Sequence, residues 1–253
     1  MSEFIKTWEH TLTTDQIRAL QRQPRHDFSA ESTVGRGPQI PYEGSNNPAA
    51  GQWDGRELSK GMIADYKRFT VVDGVGVRCS IYVSGCPFHC DECFQPSIFS
   101  FKTGAPYTKE LEDQIIKDLS QSFVDGITFL GGEPLLNTPV LIPLAKRIRE
   151  EYGDSKTIWC WTGYTWEELH RKGETPDKLE LLSYVDILVD GRFIKSLADP
   201  MLQFRGSSNQ RIIDVKKSDT EGKVHVWDDL HDEHLKYKEI GVEERNAHEG
   251  LES

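Results

Sequence analysis

Between residues 77 and 190, short β-branched runs alternate with segments of helical period. Val77–Ser84 reads as a strand from its β-branched content. Leu111, Ile115, Leu119 and Phe123 recur every four residues and predict a helix over about Thr108–Phe123. Thr108 suits its N-cap, and Glu110 and Glu112 suit its positive end. Ile127–Leu130 reads as a short buried strand. A helix over Thr138–Tyr152 follows, with Thr138 as cap and Pro139 in the first turn. Pro143 lacks an N–H beyond the free donors, which predicts that the regular helix starts later than Thr138. Lys156–Trp161, Ile187–Val189 and Arg211–Val215 read as further strands. Trp166–Tyr184 reads as helical, broken near Gly173–Asp177. Such alternation calls for parallel strands with right-handed crossovers. The expected class is α/β, an open sheet or one curled into part of a barrel, with its active site at the carboxyl ends of the strands.

The flanks have a different character. Residues 1–60 hold one plausible helix, around Asp15–Gln23, with Ile17 and Leu20 on one face. A stretch rich in Gly, Pro, Asn and Ser follows. It reads either as an irregular arm or as a segment laid on the surface through Phe28, Tyr42 and Trp53. Residues 216–253 are polar and acidic, with Val224–Trp227 as a possible strand. The expected organisation is an extension over 1–60, a main α/β domain over 61–215 and an acidic tail over 216–253. The formal net charge of -11 argues against broad binding to nucleic acid. No run is apolar enough to span a membrane, and the first residues lack a secretory pattern. A cytoplasmic protein is expected, with no direct nucleic-acid or membrane partner.

Of the five cysteines, Cys86, Cys90 and Cys93 fall within eight residues, spaced C-x3-C-x2-C directly after a strand. An odd total without a secretion signal does not suit a disulfide framework. Three thiolates on one tight loop suit a cubane iron–sulfur cluster, whose fourth iron stays open to a small molecule. The competing reading is a structural zinc site completed by Cys79, Cys160 or His89, although no second C-x2-C knuckle is present. Cys79 and Cys160 read as core thiols, and His89 as facing solvent.

Gly131-Gly132-Glu133-Pro134 follows the second confident strand. Its glycines leave backbone open to a ligand, and Glu133 offers an acceptor for an ammonium group. Taken alone it is also an ordinary turn. The loop Phe204–Arg211 brackets small and amide side chains with Arg205 and Arg211, and reads either as a solvated turn or as a loop that can hold carboxylate or hydroxyl groups. Asp73–Arg78 reads as a turn into the first strand. Trp159, Trp161 and Trp166 read as core, with the lining of a cleft as the alternative, and His231 and His234 read as exposed.

Cys86-x3-Cys90-x2-Cys93 resembles the cluster motif of radical S-adenosylmethionine enzymes, and Gly131–Pro134 their methionine-binding motif. Val72–Phe94 and Asp190–Val215, including Arg205-Gly206-Ser207-Ser208-Asn209-Gln210-Arg211, are similar to the activating proteins of anaerobic, class III ribonucleotide reductase. The resemblance spans about residues 62–215. It implies a partial, open (β/α) barrel carrying one 4Fe–4S cluster on Cys86, Cys90 and Cys93. It implies S-adenosylmethionine held near Glu92, Cys93, Phe94, Gly131, Gly132, Glu133, Arg205 and Asn209. Phe94 stands where tyrosine is usual, and Gln95 where the family usually has asparagine.

The implied chemistry is electron transfer from a donor such as flavodoxin, cleavage of the cofactor to a 5′-deoxyadenosyl radical, and hydrogen abstraction from a glycine of the large catalytic reductase subunit. No side-chain acid or base is implied, because the cofactor carries the chemistry. Rival readings are an activase of another glycyl-radical enzyme such as pyruvate formate-lyase, a radical enzyme acting on a pterin-like metabolite, and a zinc-stabilised interaction module without catalysis.

Overall fold

A computed structural model describes residues 46–229. The helix expected at Asp15–Gln23, the anchors Phe28 and Tyr42, and the histidines His231 and His234 lie outside the described residues.

The sheet is built from β1 (Met62–Thr70), β2 (Val77–Val83), β3 (Ala105–Pro106), β4 (Val124–Gly131), β5 (Thr157–Trp161), β6 (Ile187–Asp190) and β7 (Arg211–Asp214). The strand order is β3-β1-β2-β4-β5-β6-β7. The central strands β2, β4, β5 and β6 run parallel, as the strand–helix alternation requires. β1 and β3 close one edge antiparallel, and β7 closes the other. This is an α/β sheet of the partial, open barrel type. β1 escaped the sequence reading because its alternation is blurred: Asp65, Lys67 and Arg68 interrupt it, and its pairing with β2 shifts register twice. Among the described residues, no helix is long and apolar enough to cross a membrane.

The helices are α1 (Gly55–Leu58), α2 (Lys109–Leu119), α3 (Thr138–Tyr152), α4 (Trp166–Leu169), α5 (Pro176–Leu182) and α6 (Val215–Glu221). Thr108 caps α2 by accepting from the Leu111 N–H. The helix stops at Leu119, short of Phe123. Phe123 instead leaves the periodic stripe and meets Phe69 edge-on at 5.1 Å.

In α3 two expectations are corrected. The helix begins at Thr138 although Pro143 lies inside it, and its N-cap residue is Asn137. Burial of Val140, Leu141, Leu144, Ala145 and Ile148 outweighs the missing donor of Pro143. The Thr138 hydroxyl does not cap; it donates to Asp177 at 2.5 Å. The break expected near Gly173–Asp177 separates α4 from α5. The possible strand at Val224–Trp227 reduces to one bridge between Ile213 and Val226.

The main core packs β2 and β4 residues Ile81, Val83, Ile127 and Phe129 with Ile115, Leu119, Leu144 and Ile148 of the helices. Cys79 and Cys160 are fully buried in it, as read from the sequence. Trp159, Ile187, Val189 and Ile212 form a second cluster, joined by Trp161, Phe204 and Trp227. Beside it Arg78, 1% exposed, ties three strands together. Its guanidinium donates to Thr128 Oγ1, to the Ile127 carbonyl and to both oxygens of Thr157.

Candidate metal and cofactor site

At the carboxyl end of β2 the chain turns at Gly85, whose φ of 95 is open to glycine. Its N–H donates to the Ile98 carbonyl at 2.8 Å, and that of Cys86 to the Phe99 carbonyl at 3.0 Å. The loop then buries Phe88 and leaves His89 exposed, stacked on Phe99 with ring centroids 4.4 Å apart. His89 and Glu92 adopt left-handed backbone, with φ of 52 and 55. These two bends, with the turn from Cys93 N–H to the Cys90 carbonyl, bring the three cysteines around one cavity of about 140 Å³.

Burial raises the Cys86 thiol well above its ordinary range and pushes Cys90 up to about 11. Without metal these groups are therefore neutral, and ligation must displace their protons. Three thiols spread around a shared cavity suit three corners of a cubane, one thiolate to each iron there. The donor set fits a 4Fe–4S cluster, with one iron left free of a protein thiolate.

The opposite wall comes from the end of β4. Gly131, Gly132 and Glu133 line the cavity. Gly131 has a φ of 108. Glu133 is 1% exposed and turns inward. Its Oε1 accepts from Thr162 Oγ1 at 2.7 Å and from the Leu135 N–H at 3.0 Å. Its Oε2 accepts from the Gly163 N–H at 2.8 Å. Burial raises this carboxyl to about 7 against the pull of those donors. Asn137 bridges the two loops, its amide donating to the Ser84 and Glu133 carbonyls at 3.0 Å each.

The remaining wall includes Trp161, Arg192, Phe193 and Gln210. Trp161 takes its cleft-lining alternative and Gln210 belongs to the Phe204–Arg211 loop, whereas Arg192 and Phe193 were not singled out from sequence. Arg192 is buried, pairs with both oxygens of Glu168 at 2.9 Å, and lies 4.4 Å from the Phe88 ring centre. The signal for Arg192 and Gln210 lay within the segments Asp190–Val215 already noted, but nothing local separated them from their neighbours.

Glu92, Phe94, Arg205 and Asn209 lie outside this wall. Glu92 faces outward and forms an ion pair with Lys195. Phe94 is 84% exposed at the rim, tilted against Phe193 with centroids 5.8 Å apart. Arg205 is buried, and Asn209 donates to the Arg192 carbonyl at 2.9 Å. Arg211 is engaged internally, binding Asp190 and Glu167.

A family model described as a 4Fe-4S single cluster domain matches residues 72–213. Over 151 residues the chain is 42% identical to an anaerobic ribonucleoside-triphosphate reductase-activating protein of Vibrio cholerae, covering 58% of this chain and 94% of that protein. The chain belongs to this activating-protein family. The member from Escherichia coli K12 is 41% identical over 149 residues, covering 57% of this chain and 93% of its own length. One from Enterobacteria phage T4 is 34% identical over 158 residues, covering 62% and 91%. The relatives thus match almost whole, while this chain extends beyond the shared stretch.

Proposed function

We propose that this chain activates an anaerobic ribonucleotide reductase by generating a glycyl radical on its large catalytic subunit. The observation that carries the reading is the meeting of Cys86, Cys90 and Cys93 with Gly131–Glu133 around one cavity at the carboxyl ends of β2 and β4. When bound there, a 4Fe–4S cluster and S-adenosylmethionine supply a 5′-deoxyadenosyl radical that removes a hydrogen atom from the target glycine.

The protein's share is binding, orientation and exclusion. Cys86, Cys90 and Cys93 hold the cluster. Glu133 Oε2 accepts one internal hydrogen bond where Oε1 accepts two, so it retains an acceptor position for the methionyl ammonium. Glu92 and Phe94, at the rim, meet the cofactor's outer part. Arg205 and Asn209 act behind the wall, Asn209 by holding the Arg192 backbone. Residues 61–215 carry the catalytic unit, and a one-electron donor such as flavodoxin reduces it.

The test is direct. Anaerobically reconstituted protein is mixed with reductant, S-adenosylmethionine and either the reductase subunit or a pyruvate formate-lyase-type enzyme. Electron paramagnetic resonance should show a glycyl radical on the reductase. A radical formed only on the other enzyme would replace the reductase as target, and no cofactor cleavage at all would defeat the reading.

A further inference from the structure

We propose that residues 46–59, ahead of the barrel's first strand, form a strap that positions the cysteine loop. This goes beyond the proposed function and rests on it in one respect, the reading of that loop as the cluster loop. The strap lies outside the residues 72–213 matched by the family model.

Its contacts follow the back of the site from end to end. The Asn46 N–H donates to the Phe88 carbonyl at 2.8 Å, and its side-chain amide to the Pro87 carbonyl at 2.6 Å. Both acceptors sit between Cys86 and Cys90. The Trp53 ring then meets the buried Phe88 ring edge-on at 5.0 Å. Phe88 is thereby enclosed by Trp53, Tyr164 and the Arg192 guanidinium. The far end of the strap reaches the other wall: Ser59 Oγ donates to Asn137 Oδ1 at 3.1 Å, the residue that links Ser84 to Glu133.

The strap is itself anchored. Lys178, its side chain fully buried, donates to the Trp53 carbonyl at 2.6 Å and pairs with Glu174 at 2.9 Å. A β carbon on Gly55 would stand 2.7 Å from Thr138 Oγ1, so the strap's short helix α1 rests directly on the start of α3.

The cysteine loop needs such support. Two of its non-glycine residues, His89 and Glu92, hold left-handed backbone, which side chains disfavour. Between Cys86 and Cys93 its internal backbone bonding is limited to the Cys93–Cys90 turn. A loop of this kind stays in ligand-ready geometry only when its surroundings fix it. Phe88, pinned by Trp53, and the two carbonyls held by Asn46 supply that constraint, so Trp53 and Asn46 are positioning residues.

The test uses the full chain with Trp53→Ala, Trp53→Phe and Asn46→Ala. In metal-free protein, iodoacetamide labelling of Cys86 and Cys90 reports local opening of the loop. Trp53→Ala should speed labelling roughly tenfold and Asn46→Ala about threefold, with Trp53→Phe near the wild-type rate. Amide exchange at 85–94 should quicken while Ile81 and Phe129 keep their protection. After reconstitution, Trp53→Ala should hold less iron per chain. Wild-type labelling rates in both Trp53→Ala and Asn46→Ala would overturn the strap. So would a uniform loss of protection through β2 and β4 in Asn46→Ala, because the effect would then be on global stability. Should Trp53→Ala fail to fold, Asn46→Ala decides, since it removes only an exposed side chain. A wild-type protein that takes up no iron, with the labelling differences intact, would defeat the cluster reading and leave the strap standing.

Discussion

Gly132 lies directly against Gly85: a β carbon on Gly132 would stand 2.4 Å from the Gly85 carbonyl oxygen. The Gly132 N–H donates to Val83 and the Glu133 N–H to Gly85, each at 2.8 Å. The two loops that enclose the site are therefore joined backbone to backbone, immediately before Cys86. From sequence, the open backbone of Gly132 was expected to receive a ligand. Gly132 lines the cavity, and its β-carbon position is filled by the cysteine loop.

Gly132→Val consequently acts on both halves of the site. The branched side chain must push the loops apart, at a cost of about 1–3 kcal/mol as for overpacking. Iron content after reconstitution should fall together with S-adenosylmethionine affinity. Wild-type iron content, measured beside a binding titration, would show that the loops separate without disturbing the cysteines.

Cys86→Ala, Cys90→Ala and Cys93→Ala should each abolish productive cleavage of S-adenosylmethionine, since each removes one cluster corner. Cys79→Ala and Cys160→Ala should retain it. These thiols lie in the core, Cys79 donating to the Arg68 carbonyl, and their loss should cost about 1 kcal/mol, like one buried methylene. Assays of 5′-deoxyadenosine formation and urea unfolding separate the two groups. Full cleavage by Cys90→Ala would refute the ligand set.

Arg211→Ala should destabilise the metal-free protein by about 3–5 kcal/mol, because Asp190 beneath it is 1% exposed and would lose its cation. Burial already holds the Asp190 carboxyl above its ordinary range. Glu167→Ala removes the solvent-facing partner of the same arginine and should cost no more than about 1 kcal/mol. Urea midpoints compare the two. Equal losses would mean that the guanidinium is held chiefly by the outer carboxylate.

Truncation divides the extension. A chain beginning at residue 46 keeps Asn46, Trp53 and Ser59, and should reconstitute like the full protein. A chain beginning at residue 61 leaves Phe88 without Trp53 and buried Lys178 without the Trp53 carbonyl. It should lose soluble yield and iron content. Equal iron content in both would make residues 46–60 dispensable for the cluster.

Much was readable from local pattern. The capped amphipathic helix after Thr108, the parallel strands β2, β4, β5 and β6, and the loops that follow β2 and β4 all depend on spacing within a few residues. Period and capping act over such short distances, so one sequence suffices to see them. The cysteine triplet and the Gly-Gly-Glu turn were legible for the same reason.

Tertiary structure decided what depends on distant partners. Nothing near Met62–Thr70 announced an antiparallel strand, because its identity comes from pairing with β2. Nothing near Glu133 showed that its carboxylate turns inward to Thr162 and Gly163, thirty residues on. Pro143 argued locally for a late helix start and was overruled by the burial of Val140, Leu141 and Leu144 around it. Trp53 read as one of several possible anchors, yet its carbonyl meets Lys178 across 125 residues and its ring closes on Phe88. Local chemistry singled out the three cysteines and the Gly-Gly-Glu turn; contacts between remote segments determined the cavity that they line together.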